Sequence, residues 1–163
     1  GTFIGGPICT SLNTKLGAKF TRQGVGAPGY PGLFLDNVSM KGTCETCITS
    51  AVKTFQDVAT KCPDAKIAFL GYSQGAAIMH NAIPLLAPEL QSKLVAGVLF
   101  VDTQNKQSKA SIKGFPAAKL KTFCATDDGV CGGYLNVNAG HVSYGEKGDT
   151  EKAAEWLAAQ FGA

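Results

Sequence analysis

Ser73 stands between two glycines in Gly71-Tyr72-Ser73-Gln74-Gly75, after a compact apolar run at residues 66–70 and before a helix-like run at residues 76–80. Strand, sharp turn and helix form the setting of a Gly-x-Ser-x-Gly nucleophile elbow. The chain must reverse within a few residues while Ser73 is held in a strained conformation, so the residues two away must lack bulk. The turn projects a hydroxyl above the sheet edge and aims N–H groups of the next helix at any oxyanion formed there. That is the chemistry of acyl transfer.

A serine hydroxyl is a poor nucleophile unless a base takes its proton. The sequence offers His80 and His141. His80 lies two turns beyond Ser73 on the same expected helix, roughly 10 Å along its axis, and reads as a packed or half-exposed helix residue. His141, in Asn138-Ala139-Gly140-His141-Val142, has the correct place in the order serine, acid, histidine of an elbow on an α/β sheet. The orienting acid should come from the end of the last strand before it. Asp127 and Asp128 both qualify, and spacing does not choose between them; either also serves simply to shape a turn. Glu146 and Asp149 follow His141 and break the order.

Strands and helices must alternate to hold these groups. Leu12, Leu16 and Phe20 recur at helical spacing, followed by a strand-like segment at residues 20–25 and a Gly/Pro-rich loop at 26–32. Thr43 is placed to cap a helix whose apolar face carries Ile48, Ala51, Val52, Phe55, Val58, Ala59 and Cys62. The elbow helix meets Pro84, which bends or stops it. Residues 94–101 form a continuous apolar run, as in a parallel strand covered on both faces, and 119–124 give another short strand. Asp149–Phe161 reads as an amphipathic helix with Ala153, Trp156, Leu157 and Phe161 inward. Alternating βαβ units imply a parallel sheet between helices, with the site at the carboxyl ends of its strands.

A length of 163 residues suits one domain over residues 1–163. The net charge of +3 comes without a run of Lys or Arg, so nothing points to nucleic acid or an anionic membrane. No apolar stretch is long enough to span a bilayer. Six cysteines suggest an oxidising compartment. Cys124 and Cys131 bracket a Gly-containing loop and are expected to form a disulfide. Cys44-x-x-Cys47 with Cys9 and Cys62 lacks the second close pair or neighbouring His of a zinc set.

The chain resembles the fungal cutinases over nearly its whole length. The likeness is carried by Gln23-Gly24-Val25-Gly26, Thr60-Lys61-Cys62-Pro63-Asp64-Ala65 and Gly71-Tyr72-Ser73-Gln74-Gly75-Ala76. It extends to the cysteine loop, with Asp128 four residues after Cys124 and His141 ten after Cys131. The resemblance implies a lidless α/β-hydrolase, a three-layer αβα fold with a small central parallel sheet, that cleaves esters including the polyester cutin without metal or organic cofactor. It selects Asp128 over Asp127, giving Ser73, Asp128 and His141 as catalytic residues. It makes the Gln74 N–H and Thr2 the oxyanion donors, braced by Asn37. It places the apolar rims of the crevice at Leu33 and Phe34 on one side and Leu135, Val137 and Val142 on the other, with Tyr72 in the floor.

The resemblance also implies a first strand ahead of residue 1, and a cysteine there as partner of Cys62; an upstream segment is therefore expected. Cys47 and Cys62 are separated by about 22 Å of helix, beyond disulfide reach. Cys9 is expected beside the Cys44 end of that helix and is paired with Cys44, leaving Cys47 free and buried. The alternative joins Cys44 to Cys47 and Cys9 to Cys62. The expected function is a secreted, monomeric serine esterase acting on short- to medium-chain esters and insoluble cutin-like polyester, without membrane insertion. An acetylxylan esterase of the same fold and a catalytically impaired surface or elicitor protein are the competing readings.

Overall fold

The computed structural model describes residues 3–26, 28–126 and 128–162. Helix α1 (Gly5–Leu16) is followed by an extended stretch, a 3₁₀ turn at Phe34–Val38 and the long helix α2 (Glu45–Lys61). Strand β1 (Ile67–Tyr72) runs through Ser73 into α3 (Gln74–Ala82). The short α4 (Pro88–Ser92), β2 (Leu94–Phe100), α5 (Asn105–Ser108) and β3 (Leu120–Phe123) come next. The chain closes with the one-turn α6 (Ala139–Val142) and α7 (Asp149–Phe161).

The three strands are parallel, in the order β1-β2-β3, with Tyr72 opposite Phe100 and Phe100 opposite Phe123. Side chains alternate across the sheet. Ile67 and Phe69 enter a core made with α2 and α3; Ala68, Leu70 and Tyr72 join a second core made with α1 and α7. The result is helices on both faces of a small parallel sheet, the α/β-hydrolase architecture. Gly97 in β2 is a packing requirement, because a Cβ there would stand 2.1 Å from the Phe69 ring.

Helix α2 buries Cys47, Ile48, Ala51 and Phe55, with Val52, Val58 and Ala59 packed at the margin. Its N-cap is Cys44, whose Sγ accepts the Cys47 N–H, one residue beyond the expected Thr43. α3 stops at Ala82, and Pro84 lies in the 3₁₀ turn that follows. α7 turns Ala153, Ala154, Leu157 and Ala158 inward, and burying a side chain the size of Leu157 stabilises by roughly 1.5–3 kcal/mol.

Two expectations are corrected. Residues 20–25 are extended but join no ladder among the described residues, and Thr21 to Gly24 are exposed. A strand exists only where a neighbour takes its backbone groups, and the outer side of β1 has no described strand beside it. The Cys9–Cys44 disulfide does not form: Cys44 is bonded to Cys47, and Cys9 and Cys62 are free thiols. The reason is layer geometry. α1 packs against α7, on the opposite face of the sheet from α2, whereas the first turn of α2 brings the Cys44 and Cys47 Cα atoms to 5.1 Å.

Candidate active site

Ser73 leaves β1 with φ 54° and ψ −119°, a conformation that non-glycine residues rarely adopt. Its N–H donates to Phe100 O at 2.9 Å, which ties the turn to the end of β2. The steric demand of the elbow falls on Gly71, where a Cβ would meet the Ala76 Cα at 2.8 Å; at Gly75 a Cβ would meet open space. The requirement expected of both glycines therefore sits on the first. Gln74 opens α3, and its side-chain Nε2 donates to Leu33 O at 2.8 Å, fastening the helix start to the loop at residues 33–40.

Asp128 and His141 are both buried and meet with Nδ1 3.4 Å from each carboxylate oxygen. This is longer than an ideal N–H···O bond. The carboxylate is otherwise well held. Oδ1 accepts the Val130 N–H at 3.0 Å, and Oδ2 accepts the Tyr144 hydroxyl at 3.1 Å. The loop carrying Asp128 is closed by the Cys124–Cys131 disulfide. Tyr72, next to Ser73, donates its hydroxyl to His141 O at 2.9 Å, and its ring lies 5.4 Å from the imidazole. The histidine is thus brought to the elbow by the residue that precedes the nucleophile. Burial, and then the negative charge of Asp128, push the Tyr72 phenol above its ordinary pKa, so it remains a hydroxyl donor.

The remaining expected site residues lie on two segments where they are described. Asn37 sits in the 3₁₀ turn and donates Nδ2 to Phe34 O at 2.9 Å, while its Oδ1 is buried without a partner among the described residues. Leu33, Phe34, Leu135, Val137 and Val142 are all exposed. With Leu35, Val38, Met40 and Tyr134 they account, among the described residues, for every exposed large apolar side chain except Phe3 and Leu85, so exposed apolar surface is concentrated in two segments. Thr2 and Asp127 lie outside the described residues.

Sequence reasoning missed two groups. Tyr144 is fully buried, bonded to Asp128 and packed edge-on to Phe100. His80 is not merely packed: its Nε2 lies 2.8 Å from Oδ2 of the fully buried Asp102. Asp102 follows Val101, whose φ of 51° turns the chain sharply as it leaves β2. An acid directly after an apolar strand was the one available sign of a buried His–Asp pair.

The cutinase family model matches residues 2–161. The chain belongs to the cutinase family. It is 41% identical over 162 residues to cutinase 3 of Emericella nidulans, covering 98% of this chain and 71% of that one. It is 39% identical over 146 residues to probable cutinase 3 of Aspergillus clavatus, covering 89% of this chain and 67% of the relative. Among solved structures it is similar to Trichoderma reesei cutinase in complex with a C11Y4 phosphonate inhibitor. The TM-score there is 0.79 at 27% identity, with 97% of this chain and 68% of the other covered. Cutinase membership, with the elbow and the Asp128–His141 pair, makes the chain a serine-type carboxylic ester hydrolase.

Proposed function

We propose that this cutinase-family chain is a secreted, monomeric esterase that hydrolyses short- to medium-chain esters and insoluble cutin-type polyester, its residues 1–163 acting as one catalytic domain. The observation that carries the residue assignment is the contact of Tyr72 with His141, which sets a buried Asp–His pair beside Ser73.

In this reading His141 Nε2 takes the Ser73 proton as Oγ attacks the ester carbonyl. Asp128 at Nδ1 fixes the tautomer and stabilises the imidazolium that forms. The Gln74 N–H, at the first turn of α3, has no helical acceptor and receives the developing oxyanion, with Thr2 as second donor. Asn37 braces that side. His141 then protonates the departing alcohol, and a water activated by the same base hydrolyses the acyl-enzyme. None of these steps calls on a metal or organic cofactor.

The exposed rims at Leu33 and Phe34 and at Leu135, Val137 and Val142 favour an acyl chain longer than acetyl, against the acetylxylan esterase reading. Two disulfides suit an extracellular setting, and no described helix is long and apolar enough to cross a membrane. Nothing in the charge pattern invites nucleic acid. Ser73→Ala should remain folded and lose roughly 10⁶-fold in turnover of nitrophenyl butyrate. Retained activity would displace the nucleophile, and a wild-type protein with no nitrophenol burst would be the inert surface protein instead.

A further inference from the structure

Helix α2 opens on Cys44-Glu45-Thr46-Cys47, two cysteines in C-x-x-C spacing whose disulfide has no part in proton transfer at Ser73. As a staple it contributes less than Cys124–Cys131, because it closes a sequence separation of 3 rather than 7 and removes less chain entropy. Its setting is that of thiol chemistry instead. C-x-x-C at a helix N-terminus favours the thiolate of the first cysteine, since orphan N–H groups and the helix dipole face it.

The residues around the bond fit that chemistry. Cys44 is the N-cap, and its Sγ accepts the Cys47 N–H at 3.0 Å, with the Thr46 hydroxyl 3.2 Å away. A Cys44 thiolate keeps both contacts, so the 17-residue helix stays capped in either redox state. The two sulfurs differ in access: Cys44 is half-buried and Cys47 fully buried. An incoming thiolate therefore meets Cys44. A carboxylate oxygen of Asp36, in the 3₁₀ turn Phe34–Val38, lies within 4.8 Å of both sulfurs. Asp36 Oδ2 is buried without a partner among the described residues, a cost that a purely structural bond leaves unexplained. Two cysteines and a carboxylate also resemble a metal set, but the S–S bond leaves no thiolate to ligate.

We propose that Cys44–Cys47 is a redox-active disulfide that exchanges with a low-molecular-weight thiol of the glutathione class, Cys44 being the sulfur attacked and Cys47 the resolving one. A thiolate RS⁻ attacks Cys44 Sγ. The Cys44–S–S–R bond forms, the Cys44–Cys47 bond breaks, and its electron pair stays on Cys47 Sγ. The proton shed by the incoming thiol reaches Cys47 through Asp36. A second RS⁻ attacks the R sulfur and releases R–S–S–R and the Cys44 thiolate, so two thiols are oxidised and one disulfide is reduced. In reverse, the Asp36 carboxylate takes the Cys47 proton and Cys47 displaces RS⁻ from Cys44. The inference stands apart from the esterase reading.

The test blocks the free thiols of folded wild type with N-ethylmaleimide, then adds reduced glutathione with EDTA and no denaturant. Alkylation and peptide mapping follow each disulfide with time. Cys44–Cys47 should open at least about tenfold faster than Cys124–Cys131, and close again when oxidised glutathione is added. Cys47→Ser should hold glutathione on Cys44, whereas Cys44→Ser should take up none at Cys47. Asp36→Asn should slow closure of the Cys44 mixed disulfide about tenfold. If Cys44–Cys47 opens no faster than Cys124–Cys131, or only once urea unfolds the chain, the bond is a clasp alone and the proposal fails. Glutathione held on Cys47 in place of Cys44, or unaltered closure in Asp36→Asn, would overturn the assigned roles.

Discussion

The hydroxyl of Tyr144 donates to Asp128 Oδ2 at 3.1 Å while accepting the Ala125 N–H at 2.8 Å. One phenol therefore ties the acid to the first residue after Cys124, and its ring is wedged against Phe100 at the end of β2. Asp128 meets the imidazole from a position fixed by the sheet, not by its own loop alone.

Tyr144→Phe keeps the ring and removes the bridge. The expected result is a kcat about tenfold lower with KM little changed, because Asp128 loses its lock and His141 its fixed tautomer. Leaving the Ala125 N–H without its acceptor should also cost about 1–3 kcal/mol. Steady-state kinetics and a thermal melt read the two effects separately. A lower melting temperature with unaltered kcat would reduce Tyr144 to a packing residue.

Asp128→Asn should lower kcat by about 10⁴-fold, since an amide favours the wrong imidazole tautomer. Asp127→Asn should cost far less. Measuring both on one short ester decides the matter, and a reversed order would transfer the acid to Asp127.

The Cys124–Cys131 bond closes a loop of short sequence separation, for which chain entropy gives about 2.5 kcal/mol of stabilisation. Replacing both cysteines by serine should lower the melting temperature and kcat together, because Asp128 lies inside the loop. Replacing Cys44 and Cys47 should lower the melting temperature with little effect on kcat, since that bond clasps the first turn of α2. Equal kinetic effects from the two pairs would contradict this division.

In the unfolded chain Tyr72 ionises near pH 10. In the folded protein, burial and then Asp128 hold its pKa higher, and Tyr30 is raised in the same way by burial and Asp36. The folded state thus keeps protons that the unfolded state releases. This contribution to stability is fully present below about pH 10 and is lost as pH rises through the folded values. Urea midpoints should decline above pH 10, and less steeply in Tyr72→Phe. A variant with the same or a steeper decline would show that Tyr72 is not the linked group.

The elbow was legible because a serine between glycines at a strand–helix junction has few other uses, and β2 and α7 because their apolar patterns are long. Asp128 was not separable from Asp127 by spacing; the family likeness supplied that choice. Tyr144 was invisible because a tyrosine three residues beyond a histidine carries no local signal, and its role exists only once β3 and the 139–144 segment meet. The pairing of Cys9 was misread for a similar reason: sequence gives the helix but not the face of the sheet it covers. Residues 20–25 have strand-like composition, yet a ladder depends on a neighbour, which composition does not encode.

The two cores divide the proposed catalytic groups between them. Ser73 begins a helix that packs with α2, whereas Asp128, His141 and Tyr144 ride on segments packed with α1 and α7. The reactive centre is consequently a seam between halves of the molecule rather than a property of either. Turnover then reports cooperativity: any partial opening that lifts one half away silences the enzyme while most of its helices, and its circular dichroism, persist.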